Sequence, residues 1–154
     1  EKEVASMNDN GVRLRVLGDI GRFSEPLQAL IRQAETQTVN NTRITLLVCA
    51  NYGGRWDMLS AVRAWQAAHP GQSLQDMTEE NLSPYLSTAE APEVDLLIRT
   101  GGESRISNFL LWQAAYAELF FTDDLWPDFK PERLREALNW FAGRDRRFGS
   151  SAPL

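Results

Sequence analysis

The run Ile44-Thr45-Leu46-Leu47-Val48-Cys49-Ala50 constrains this chain more than any other stretch. It is apolar throughout and rich in β-branched residues, with none of the apolar–polar alternation of a strand that has one wet face. That pattern suits a central strand of a parallel sheet, covered on both sides. Two further strand candidates accompany it: Val12 to Leu17, which alternates apolar residues with Arg13 and Arg15, and Val94 to Ile98. Helical patterns separate them. Glu1 to Asn10 reads as a helix stopped by Asn10-Gly11. Ser24-Glu25-Pro26 opens a helix with a capping hydroxyl and an early Pro, and Leu27, Leu30, Ile31 and Ala34 recur on one face. Arg55 to Ala68 is expected to turn Met58, Leu59, Val62 and Trp65 inward and to end at His69-Pro70-Gly71. Ile106 to Phe121 predicts a long helix, and Pro131 to about Phe141 the last one. The order βαβαβα predicts an α/β fold, a parallel β-sheet flanked by helices, with ligands at the carboxyl ends of the strands.

The length of 154 residues, with 43% apolar residues, fits a single domain over 1–154 with a closed core. A net charge of -5 argues against nucleic acid, which requires a basic face. Cys49 is the only cysteine, so an intrachain disulfide is excluded, a buried inert thiol is expected, and a reducing cytoplasm fits. No apolar run approaches the roughly 20 residues that span a bilayer, so a soluble or peripheral protein is expected. Gln72 to Ala91 is polar and broken by Pro84, with Thr78-Glu79-Glu80 opening a short helix.

The chemistry is expected after the third strand, in Arg99-Thr100-Gly101-Gly102-Glu103-Ser104-Arg105-Ile106-Ser107-Asn108. A strand that ends in Gly-Gly and passes into a helix would leave backbone N–H groups free at the helix start. Arg99, Arg105 and Ser107 beside them would complete a site for a phosphate or diphosphate. The competing reading pairs each arginine with a neighbouring acid, Asp95 or Glu103, in weak surface contacts. Glu118 is the one charge between Ile106 and Phe121 and needs an Arg, a metal or an opening to water; a solvent-facing position at the helix seam would equally explain it. In Asn51-Tyr52-Gly53-Gly54-Arg55-Trp56-Asp57 the glycines suit a turn and Asp57 the first helical turn, a structural role. His69 has no second ligand near it and suits a helix end.

With these residues assembled, the chain resembles the cis-prenyltransferases of the bacterial undecaprenyl diphosphate synthase (isoprenyl transferase) type. The resemblance rests on Asp95 to Glu103, Arg105 to Gln113, Tyr116 to Leu119, Trp126 to Phe129, the Ala50 to Asp57 block, and Arg147-Phe148-Gly149, and it runs from about Glu1 to Gly149. It implies Mg²⁺-dependent condensation of isopentenyl diphosphate onto farnesyl diphosphate with new cis double bonds. The product would be undecaprenyl diphosphate, the lipid carrier of cell-wall (peptidoglycan) synthesis, made by a cytoplasmic homodimer peripheral to the membrane. By resemblance, Arg99, Arg105, Ile106 and Ser107 bind the isopentenyl diphosphate, Arg147 and Gly149 reach the active site across the dimer interface, and Glu118 serves the metal. Ser104 stands where some bacterial members carry a metal-associated His. The family's N-terminal Asp-Gly-Asn-Gly-Arg-Trp motif, which supplies the catalytic Asp, does not occur here, nor does Ser-x-Glu-Asn-Trp. The chain therefore resembles the C-terminal portion of such an enzyme, with the N-terminal part of the fold missing, and is expected to be inactive alone. A non-catalytic accessory subunit of a two-chain cis-prenyltransferase is the alternative. A generic nucleotide-binding domain lacks its Gly-x-Gly-x-x-Gly fingerprint or P-loop here.

Overall fold

The computed structural model describes residues 2–145, without the side chain of Lys2, and divides into two compact units, Glu1–Ala91 and Pro92–Leu154. In the first unit, α1 (Lys2–Asp9) leads into β1 (Val12–Leu17), α2 (Glu25–Thr38), β2 (Ile44–Cys49) and α3 (Gly54–Ala68), followed by the short α4 (Glu79–Leu82). β1 and β2 pair in parallel from Val12↔Ile44 to Leu17↔Cys49, with α2 as the crossover. The other edge of β1 is closed by side chains rather than by a strand. The Leu14 N–H donates to Thr38 Oγ1 (3.0 Å), the Val16 N–H to Glu35 Oε1 (2.8 Å), and Asn41 Nδ2 donates to the Val12 carbonyl (2.9 Å). Three polar side chains at and just beyond the end of α2 thus satisfy alternate backbone groups of an edge that would otherwise recruit another chain.

Several packing expectations change. β2 is not covered on both faces: Ile44, Leu46 and Val48, which share one face of the strand, are 59%, 40% and 41% exposed. On α2, Leu27 and Leu30 face outward, and the helix buries Thr38 instead; the Ser24 hydroxyl makes no cap hydrogen bond. On α3, Leu59 is exposed, and the buried stripe is Asp57, Ala61 and Trp65. His69 ends α3 as expected. Its N–H donates to the Trp65 carbonyl (3.0 Å), its Nδ1 lies 2.9 Å from the same oxygen, and its ring stacks on Trp65 at 4.8 Å.

The polar stretch after α3 is ordered by capping boxes, Ser73 with Asp76 and Thr78 with Asn81, the second opening α4 as expected. Its far end is tied down twice. Glu90 receives Arg13 and Arg15, each at 2.7 Å, and Ser87 donates to Asp57 from both its N–H (2.9 Å) and its hydroxyl (2.6 Å).

In the second unit β3 (Leu96–Arg99) and β4 (Glu118–Phe121) pair in parallel, from Leu96↔Glu118 to Arg99↔Phe121, and α5 (Pro131–Ala142) follows. Ala137 of α5 is fully buried and Trp140 meets Phe120 edge-on at 5.5 Å. The long helix expected from Ile106 to Phe121 does not form. Ser107, Asn108 and Leu110 hold φ of 51°, 63° and 45°, left-handed values that no right-handed helix contains, and turns carry the chain to β4. An uncharged apolar run fits a buried strand as well as a helix, and pairing with β3 decides between them: the Glu118 N–H donates to the Asp95 carbonyl (2.9 Å) and the Thr122 N–H to that of Arg99 (3.0 Å).

Candidate active site

β3 delivers Arg99 to the carboxyl end of the strand pair, and the chain then reverses through Gly101 (φ +90°) and Gly102 (φ +76°). These angles require glycine, and a side chain at Gly102 would also meet Asp123 Oδ1 at 3.2 Å. The turn does not offer free donors as expected. The Gly101 N–H donates to the Asp124 carbonyl (2.8 Å) and the Gly102 N–H to the Thr122 carbonyl (3.0 Å), so both are spent on the loop after β4. With no helix behind the turn, there is no helix start there to bind an anion.

Of the expected cradle, Arg99 and Ser107 meet directly. The Arg99 guanidinium reaches across the loop, donating from Nη1 to Ser107 Oγ (2.8 Å) and to the backbone carbonyl of Arg105. Arg99, Arg105 and Ser107 therefore belong to one loop closed by the first of them, with Ile106 half-buried between the other two. The Arg105 side chain pairs with Glu103, as the competing reading allowed for that residue. Both partners are exposed, at 62% and 46% of their side chains, so the pair is worth about 0–1 kcal/mol and is easily exchanged for a multivalent anion. Ser107 (φ 51°) takes a left-handed backbone conformation that costs about 1–3 kcal/mol outside glycine, whereas Asn108 (φ 63°) is of a residue type that adopts it readily. Ser104 lines a neighbouring hollow of about 330 Å³ with Gly102, Thr122, Asp123, Arg133 and Glu136.

Glu118 sits elsewhere. The parallel register puts Glu118 beside Leu96 and Arg99 beside Phe121, so the two groups are about 10 Å apart along the strands and on opposite faces. Its carboxylate accepts from Arg144 Nε at 3.0 Å, and the Arg144 guanidinium lies over the Trp140 ring, 5.2 Å from its centroid. Of the partners expected for this carboxylate, the structure supplies the arginine. Among the described residues, no group of three His, Cys, Asp or Glu is gathered that could hold a metal ion. Arg147 and Gly149 lie outside the described residues.

In the first unit, the Asn51 to Asp57 block carries the chain from β2 into α3. Asn51 takes the left-handed conformation (φ 49°), whereas Gly53 is extended and serves as a buried position rather than an unusual angle. Asp57 is 1% exposed, and accepts from the Tyr52 hydroxyl (2.8 Å) as well as from Ser87. Burial, and then the Asp57 charge, push the half-buried Cys49 thiol up from its ordinary pKa. The grips of Asp124 on Gly101, of Asp57 on Ser87 and of Glu90 on Arg13 and Arg15 had no signal in the sequence, since each joins residues with no shared motif.

The family model of prenyltransferases of the undecaprenyl diphosphate synthase type matches residues 1–149. The chain belongs to this family. An isoprenyl transferase from Ralstonia nicotianae is 52% identical over 151 residues, which cover 98% of this chain and 58% of that protein. A ditrans,polycis-undecaprenyl-diphosphate synthase specific for (2E,6E)-farnesyl diphosphate, from Photorhabdus laumondii, is 51% identical over 155 residues, 99% of this chain and 61% of its own length. The chain thus spans about three-fifths of the curated relatives it matches. Among solved structures, a probable undecaprenyl diphosphate synthase from Campylobacter jejuni superposes with a TM-score of 0.87 at 30% identity, covering 97% of this chain and 68% of that one. Lavandulyl diphosphate synthase from Lavandula x intermedia, in complex with dimethylallyl diphosphate, gives 0.88 at 34%, covering 96% and 64%. These likenesses agree with the α/β fold of parallel strands and helices described above.

Proposed function

We propose that the protein condenses isopentenyl diphosphate onto an allylic diphosphate, farnesyl diphosphate, with cis double bonds, to make undecaprenyl diphosphate, and that this chain carries the isopentenyl diphosphate half-site. The observation that carries the reading is the loop closed by Arg99 onto Ser107 and the Arg105 carbonyl at the carboxyl end of a parallel strand pair, with the Arg105 side chain in an exposed pair with Glu103. A relative at 51% identity named as a farnesyl-diphosphate-specific undecaprenyl-diphosphate synthase, and one at 52% named isoprenyl transferase, support it.

Arg99 and Ser107 bind the diphosphate from one side of the loop, and Arg105 exchanges Glu103 for it. A multivalent oxyanion repays that exchange because charge-assisted contacts to guanidinium are about twice as strong as neutral ones. Fixing the diphosphate fixes the isopentenyl double bond against the allylic carbon, and orientation of this kind is worth several kcal/mol of barrier. Arg147 and Gly149 contribute from the second protomer of a homodimer. Mg²⁺ is the cofactor of the reading, and when bound to diphosphate it stabilises the charge of the departing pyrophosphate. Glu118, whose carboxylate accepts from Arg144 just beyond α5 at 3.0 Å, would serve the Mg²⁺ of the reaction. No helix among the described residues is long and apolar enough to cross a membrane, and we place the protein in the cytoplasm, peripheral to the membrane that receives its product.

The test is incubation of the purified full natural chain with farnesyl diphosphate, Mg²⁺ and radiolabelled isopentenyl diphosphate, with product length read by chromatography. Label in long cis-polyprenyl diphosphates is expected; unextended isopentenyl diphosphate alone overturns the reading.

A further inference from the structure

The two halves of the proposed cradle lie on opposite sides of the Gly101-Gly102 turn, Arg99 before it and Arg105 and Ser107 after it. How they meet is set by that turn, and glycine is the residue least able to hold a conformation by itself, since it has the most backbone freedom to lose. The restraint comes from outside. Both glycine N–H groups donate to carbonyls of the loop after β4, Gly101 to Asp124 and Gly102 to Thr122. That loop is held by its own side chains: the Thr122 hydroxyl and the Asp124 carboxylate are 2.8 Å apart, and the Asp124 N–H donates back to Thr122 Oγ1 at 3.3 Å. The same Asp124 oxygen, Oδ2, receives Arg133 Nε at 2.8 Å, and Arg133 Nη1 receives support from Glu136 Oε2 at 2.6 Å. Arg133 stands in the first turn of α5. Its guanidinium is pushed up from its ordinary pKa by the hydrogen bond to Glu136 and by the charges of Asp124 and Glu136, which follows from a cation lodged between two carboxylates.

We infer that Asp124 and Arg133 are positioning residues for the diphosphate cradle: by anchoring the loop after β4 to α5, they fix the glycine turn and so the approach of Arg99 to Arg105 and Ser107. The inference rests on the reading of that loop as the isopentenyl diphosphate half-site. Neither residue touches the diphosphate in this account. Asp124 acts through its carbonyl on Gly101, and Arg133 acts through Asp124. Asp124 is the better shielded of the two, with 23% of its side chain exposed against 45% for Arg133, so its loss is expected to matter more.

The experiment uses the full natural chain and compares Asp124→Asn, Asp124→Ala, Arg133→Met and Arg133→Lys with Arg99→Ala. Steady-state kinetics in isopentenyl diphosphate at saturating farnesyl diphosphate are combined with amide hydrogen exchange at Gly101 and Gly102. Loosening the turn is expected to raise KM for isopentenyl diphosphate about five- to tenfold in Asp124→Ala and less in Arg133→Met, with kcat within about twofold, as for a modest loss of binding-site order. Arg133→Lys, which keeps the charge beside Asp124, is expected to recover part of the KM, and exchange at both glycines is expected to accelerate in step with KM. A lowered melting temperature with KM and glycine exchange unchanged would make the network merely structural and overturn the inference. If Arg99→Ala raises KM and the Asp124 variants do not, the inference falls and the half-site stands. If Arg99→Ala leaves KM unmoved, the half-site reading falls, and with it the role proposed for Asp124 and Arg133.

Discussion

Removing the Arg99 side chain separates a binding role from a structural one. Arg99→Ala deletes the donor to Ser107 Oγ at 2.8 Å and to the Arg105 carbonyl, and in the substrate complex it deletes a guanidinium facing a dianion or trianion. The first loss is small for folding, because the loop residues it joins are exposed and water replaces the bonds; about 0.5–1.5 kcal/mol is expected. In a chain of this length that corresponds to a fall of about 2–5 °C in melting temperature. The second is larger. A charge-assisted contact is worth about 1.5–3 kcal/mol, which converts to roughly 10- to 150-fold in KM for isopentenyl diphosphate. The assay is incorporation of labelled isopentenyl diphosphate at saturating farnesyl diphosphate, with the farnesyl diphosphate KM as the internal control. The half-site reading predicts that KM for isopentenyl diphosphate moves by at least tenfold and KM for farnesyl diphosphate by less than about threefold. A folded variant with both constants within twofold of the natural enzyme refutes the reasoning.

Other perturbations probe the rest of the structure. Arg144→Ala removes the Glu118 pair and the contact over Trp140, and is expected to cost about 1 kcal/mol, or 2–4 °C by calorimetry, since half of the Arg144 side chain is exposed; an unchanged melting temperature would show that the pair contributes nothing. Asp57→Ala leaves the Tyr52 hydroxyl and both Ser87 donors without this acceptor in a buried position, and a loss of about 2–4 kcal/mol in urea unfolding is expected, with less than 1 kcal/mol counting against the grip on the segment before β3. The Cys49 thiol, raised by burial and by Asp57, should react with a thiol reagent more slowly at pH 8 than free cysteine does and speed up as pH rises. Because the raised pKa disfavours the thiolate in the folded state, stability contributed by this group is present below its unfolded pKa and falls as pH rises above it; labelling at the rate of free cysteine would contradict the burial.

The elements with strong local signals were legible before the structure. β1 spans Val12–Leu17 as its alternation predicts, α3 starts at Gly54 one residue before the expected position, and α5 ends at Ala142, next to the expected Phe141. The stretch after the glycine turn was not, because Phe109-Leu110-Leu111-Trp112 is compatible with either helix or buried chain. What excludes a helix is the left-handed backbone at Ser107, Asn108 and Leu110, which these residue types do not advertise. The site was legible in part. The closeness of Arg99, Arg105 and Ser107 followed from their sitting around one turn, whereas the hydrogen bonds that consume the glycine N–H groups come from Thr122 and Asp124, some twenty residues away with no pattern linking them. Glu118 was misplaced for the same reason: as a helical residue its surroundings were open, but as the first residue of β4 its neighbour is Leu96.

The row formed by Ile44, Leu46 and Val48 has a practical consequence for anyone handling these 154 residues by themselves. A short β-rich, charge-free segment showing greasy side chains to water is a template for self-assembly, so the preparation should cloud as its concentration rises, well before its secondary structure melts. A lysine written into the middle of the row, Leu46→Lys, should keep such solutions clear.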